Sequence, residues 1–120
     1  MYDHIGLSVK DMEASVRFYS AALAAFGYVL CSRDESGAGF GPPGEAAFWL
    51  YVAKSAVQTP VHVAFRASDH ASVDRFYEAG LGSGGRNHGG PGLRTDYSPT
   101  YYAAFLLDPN GHNVEAVCTT

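Results

Sequence analysis

The stretch from His4 to Gly27, HIGLSVKDMEASVRFYSAALAAFG, can be laid on residues 62–85 at a constant offset of 58 without a gap. Eight positions then hold the same residue: His4/His62, Asp11/Asp69, Arg17/Arg75, Phe18/Phe76, Tyr19/Tyr77, Ala21/Ala79, Leu23/Leu81 and Gly27/Gly85. Such a repeat is one supersecondary unit used twice, and each copy has to bury its apolar face against a neighbour. A chain of 120 residues is one domain's worth, too short for two independent cores. The two modules, about 1–56 and 58–120, are therefore expected to share one.

Within each copy the hydrophobic period changes. Ile5, Leu7 and Val9 alternate with His4, Gly6 and Ser8, as a strand with one packed face requires. Asp11 then suits an N-cap, Glu13 the first turn, and Met12, Val16, Tyr19 and Leu23 the buried stripe of a helix over 12–25. In the second copy Val63 and Phe65 oppose His62, Ala64 and Arg66. There Asp69 is the cap, Val73, Phe76, Tyr77 and Leu81 are the stripe, and Gly80 and Gly82 lie near the stop. Further strands are expected at 28–32 and 46–53, then at 100–107 and 113–118. Each module reads β-α-β-β-β, which makes the chain α+β. Residues 80–99, rich in glycine, read as a loop: a lid over a pocket or a solvated connector. No phosphate-cradling motif is present there, since GK[ST] opening a helix is missing.

A net charge of −4 with no Lys/Arg cluster argues against nucleic acid or an anionic membrane as partner and favours a small molecule. Apolar runs stay well below membrane-spanning length. Cys31 and Cys118 lack metal-type spacing, and the opening MYDHIGLSV has no signal-peptide pattern, so a cytoplasmic location is expected.

The segment LLDPNGHNVEAV, residues 106–117, carries a hairpin signal in Asp-Pro-Asn-Gly. On the returning strand Glu115 shares a face with Asn113 and Val117, opposite Val114, Ala116 and Cys118. If Leu107 pairs with His112, Ala104 lies beside Glu115, and Tyr102 beside Val117 reaches the substrate face. A bulged turn shifts the parity by one and puts Tyr101 and Phe105 there instead. A carboxylate among apolar residues is costly to bury unless it is paired or metal-bound. Two strand histidines at equivalent places, His4 and His62, together with Glu115 are the elements of a 2-His-1-carboxylate site with open positions. His88 and His112, in a loop and a turn, are expected to be solvated.

The pattern HIGLSVKD…RFY, HVAF…D…RFY and DPNGHNVEAV resembles the vicinal oxygen chelate superfamily, which includes glyoxalase I, fosfomycin-resistance thiol transferases, extradiol dioxygenases and bleomycin-resistance proteins. The likeness covers nearly the whole chain. It implies paired β-α-β-β-β modules forming a cup-shaped, barrel-like mixed sheet, a homodimer, and a divalent ion (Fe, Mn, Ni, Co or Zn) held by His4, His62 and Glu115. It implies a metal-dependent enzyme with lyase, dioxygenase or thiol-transferase chemistry, Glu115 being catalytic, or a metal-free protein that sequesters a small molecule. Ser8, Arg66, Tyr102, Phe105 and Asn113 are the expected pocket residues. Departures narrow the reading. Phe48, Trp49 and Leu50 stand where glyoxalase I has a further glutamate ligand, Ser8 stands where its relatives often hold an arginine, and Phe105 replaces the tyrosine of extradiol dioxygenases. A phosphonate pocket has only Arg66, Arg86 and Arg94 to draw on.

Overall fold

In the computed structural model, which describes residues 1–55 and 59–120, the two modules have the same order of α-helix and strands, the first adding a 3-10 turn (Ala24–Phe26) after its helix. The first is β1 (Ile5–Val9), α1 (Met12–Leu23), β2 (Val29–Arg33), β3 (Gly37–Gly41) and β4 (Phe48–Val52). The second is β5 (His62–Arg66), α2 (His70–Leu81), β6 (Arg86–Leu93), β7 (Tyr102–Leu107) and β8 (Asn113–Cys118). Each builds a mixed four-stranded sheet, β1-β4-β3-β2 and β5-β8-β7-β6, in which the first and last strands of the module pair in parallel. The sheets are curved and open rather than closed into one barrel. The module boundary expected at 56–58 lies outside the described residues.

Both caps form as the sequence predicts. The Asp11 carboxylate accepts from the Ala14 N–H at 3.1 Å and the Asp69 carboxylate from the Ser72 N–H at 2.7 Å. Val16, Tyr19 and Leu23 of α1 and Val73 and Phe76 of α2 are buried, whereas Leu81, expected in the stripe, is exposed. Gly80 takes its place in the interface. A Cβ there would come within 2.3 Å of Leu106 and 3.1 Å of Phe18, so Gly80, which lies at the helix stop with the C-cap Gly82 as the sequence predicts, also lets α2 approach its neighbours closely.

The core is continuous across the repeat. Phe26 stacks on both Phe65 and Phe76, and Phe48 meets Phe65 edge-on at 5.2 Å. Polar contacts tie the modules too. The buried Tyr19 hydroxyl of α1 donates to Asp108 at 2.6 Å, and burial followed by the Asp108 charge pushes the phenol well above its ordinary pKa. His112, expected to be solvated, is buried. Its Nδ1 accepts from the Val61 N–H at 3.1 Å, so Nε2 carries the hydrogen and donates to the Ser8 carbonyl at 2.9 Å. His112 thereby pins β1 to the second module.

Two strands were hidden by their glycines. In β3, Ala38 and Phe40 face the core while Gly37 and Gly39 leave room on the other side for the Tyr51 and Trp49 rings of β4. The second is β6, inside the segment read as a loop over 80–99. It pairs with β7 through two register shifts, and Gly89 sits at φ +144°.

Candidate metal and substrate site

Side chains on the sheet face away from the helices line the open cup of each module. On the second module, β5 and β8 pair in parallel so that His62 lies beside Asn113 and Ala64 beside Glu115. The β7–β8 hairpin decides what joins them. Asp108 N–H donates to the His112 carbonyl and Gly111 N–H to Asp108, with Gly111 at φ +92°, which makes a three-residue bulged loop. Phe105 is therefore opposite Glu115, and Tyr102 is opposite Cys118. The bulged alternative is the one realised. Tyr102 points toward the helices, where its hydroxyl donates to Asp74 at 2.6 Å and its ring stacks on His70 at 3.9 Å. It is not a cup residue, because one residue of register reverses every side chain on a strand.

Tyr101 takes the position instead. Its hydroxyl donates to Glu115 Oε2 at 2.5 Å. Burial, then the hydrogen bond to Glu115, pushes this phenol up to about 12. A raised folded-state pKa means that the contribution of the bond is present below about pH 10 and is lost as pH rises through about 12. Only the parity argument in the sequence pointed to Tyr101.

Glu115 is 2% exposed, and both of its oxygens are occupied. Oε1 lies 3.0 Å from His62 Nε2, while His62 Nδ1 sits 3.0 Å from the Asn113 carbonyl. A carbonyl can only accept, so Nδ1 carries a hydrogen. Nε2 then faces a carboxylate oxygen, a contact that needs a proton on one of the two atoms or a cation beside them. Asn113 Oδ1 is buried without a hydrogen-bond partner on this side of the molecule. The His62 imidazole lies nearly parallel to the Phe105 ring, and the Arg94 guanidinium approaches Phe105 from β6. Arg66 is exposed, two positions along β5 from Ala64.

The other expected residues lie on the first module. His4 precedes β1 in the other sheet and bonds through Nδ1 to Asp3 at 2.7 Å. It does not reach Glu115, and among the described residues no three His, Cys, Asp or Glu side chains converge on one point. Repeat symmetry placed His4 on an equivalent strand position, but not on the same sheet. Ser8 lines a cleft of about 510 Å³ with Gly6, Tyr51, Lys54 and His112. Neither His62 nor Glu115 lines that cleft; the pair is reached from solvent through the half-exposed His62 side chain. His88 is exposed on β6.

The family model for the Glyoxalase/Bleomycin resistance protein/Dioxygenase superfamily matches residues 2–116. A glyoxalase/bleomycin resistance protein from Albidiferax ferrireducens T118 has a similar structure, with a TM-score of 0.86 and 26% identity over 98% of both chains. One from Nocardioides, named a glyoxalase/bleomycin resistance protein/dioxygenase, gives 0.68 and 26% over 97% of this chain and 81% of its own. The V278E mutant of Zea mays glyoxalase I gives 0.72 and 24%, with 97% of this chain laid on 45% of that one, a likeness of fold. No curated protein matches. Among the described residues no helix is long and apolar enough to cross a membrane.

Proposed function

Because the chain belongs to the Glyoxalase/Bleomycin resistance protein/Dioxygenase superfamily, we propose that it is a metal-dependent enzyme acting on a small oxygen-bearing substrate at His62 and Glu115. The observation that carries this reading is the 3.0 Å between His62 Nε2 and Glu115 Oε1. Two donors bound side by side to one first-row divalent ion, each at about 2.1 Å, are about 3 Å apart. Both donors are also oriented from behind, His62 by the Asn113 carbonyl and Glu115 by the Tyr101 hydroxyl. His62 and Glu115 therefore fit a divalent ion as two ligands. His4 of the same chain does not fit as the third. In this reading the set is completed in a homodimer by His4 of the partner subunit.

A bound divalent ion supplies Lewis-acid charge for an oxyanion developing on the substrate. The chain's own residues do the rest. Tyr101, protonated throughout the physiological range, holds Glu115 Oε2 and leaves Oε1 directed at His62. Phe105 flanks the pair from the β7 side, with Glu115 buried beneath it and the His62 side chain left half exposed to an incoming substrate.

Titration with a divalent transition metal tests this directly. The wild type is expected to bind one equivalent per subunit, and His62→Ala or Glu115→Ala to weaken binding by about a hundredfold or more. Variants that bind as tightly as wild type remove the pair from the ligand set.

A second reading, metal-free sequestration of a flat molecule, is favoured by one feature. The rings of Trp49 and Tyr51 lie across Gly39, Gly6 and Gly37 and form an aromatic platform on the first module's cup. Tight binding of an aromatic compound by metal-stripped protein, with quenching of the single tryptophan, would support it.

A further inference from the structure

We infer that Arg94 selects a small carboxylate as the substrate of the His62–Glu115 site, an assignment that rests on the reading of that site given above. It begins with the glycines of β6. Arg94 follows this strand directly and folds back along it. Nη1 donates to the Gly92 carbonyl at 2.9 Å and Nη2 to the Gly90 carbonyl at 2.6 Å. A Cβ on Gly92 would stand 3.2 Å from Nη1, and one on Gly89 would stand 3.3 Å from Nη2 and 3.1 Å from the Phe105 ring. Side chains at these positions would crowd the bed on which the guanidinium lies. Glycine is needed here for space as well as for the positive φ of Gly89.

From that bed the guanidinium carbon sits 5.5 Å from the centroid of Phe105. Phe105 is the cross-strand partner of Glu115, and its ring lies alongside the His62 imidazole. The cation is therefore one side chain away from the proposed ligand pair. Its bonds go to neutral carbonyls, which fix its position and leave its charge uncompensated. Among the described residues Arg94 forms no ion pair. Two carbonyl bonds use only part of a five-donor fork, and the planar remainder matches a carboxylate. Backbone and aromatic contacts already restrict the side chain, so little further rotamer freedom is lost when an anion arrives. One planar, singly charged fork suits one planar monoanion better than a tetrahedral dianion, which usually recruits more than one cation.

The test uses the full-length protein stripped of metal, with benzoate, benzamide and inorganic phosphate as probes and calorimetry or NMR shifts as readout. Wild type should bind benzoate about tenfold more tightly than benzamide, and Arg94→Gln should remove that preference. Arg94→Lys should restore only part of it, because an ammonium lacks the fork. A benzoate preference that survives in Arg94→Gln, equal binding of benzoate and benzamide by wild type, or no benzoate binding at millimolar concentration overturns the inference. Phosphate bound more tightly than benzoate, and lost in Arg94→Gln, overturns the carboxylate class. Metal titration separates this from the site reading. Arg94→Gln should bind the divalent ion as wild type does, whereas failure of the ligand pair would appear as wild type binding none, whatever the benzoate result.

Discussion

Residues 1–58 produced without the second module should give no cooperative thermal transition as a monomer. The first module's aromatic residues find their partners across the repeat: Phe26 stacks on Phe65 and Phe76, and Phe48 packs on Phe65. Exposing a Phe side chain costs about 1.5–3 kcal/mol, and a whole small domain holds only about 5–15 kcal/mol. Losing these three contacts together with the Tyr19–Asp108 and His112–Ser8 bonds removes an amount comparable to that whole reserve. Circular dichroism and calorimetry check it; a sharp monomeric melt of the fragment would show that each module carries its own core.

Asp108→Ala should be the most destabilising single polar substitution. This carboxylate is 1% exposed and serves three donors: the Asn110 N–H at 2.8 Å, the His112 N–H at 2.9 Å and the Tyr19 hydroxyl at 2.6 Å. Removing it strands all three, at about 4 kcal/mol. Tyr19→Phe alone should cost about 2 kcal/mol by leaving one carboxylate oxygen unpaired. Placed in the Asp108→Ala background, Tyr19→Phe should recover part of the loss, because the stranded hydroxyl goes with it. Urea melts with an unchanged slope measure all three. Additive losses would mean that the two groups do not interact.

The repeat made the module order, both helix caps and the strands carrying His62 and Glu115 legible before any coordinates, since each rests on local periodicity and side-chain alternation. Four things were not. The glycine strands β3 and β6 lack the β-branched pattern that marks a strand, and their reason is tertiary: they make room for Trp49, Tyr51 and Arg94. The exchange of Tyr102 for Tyr101 turned on one residue of turn length, set by Gly111 at positive φ. His4 was the largest discrepancy. Its place just before β1 is the repeat counterpart of His62 at the start of β5, but how two equal modules are set against each other is decided by the helix and aromatic packing between them, which the offset of 58 does not encode. For the same reason His112 looked like a turn residue and is instead a buried bond between modules.

The most direct measurement is an anomalous-diffraction structure of the protein crystallised with cobalt or zinc. The account predicts one ion per subunit, about 2.1 Å from both His62 Nε2 and Glu115 Oε1, with Tyr101 still bonded to Oε2 and His4 of the partner subunit as the third protein ligand. Crystals soaked to saturation that show no ion there, with His62 and Glu115 still paired directly, would contradict it.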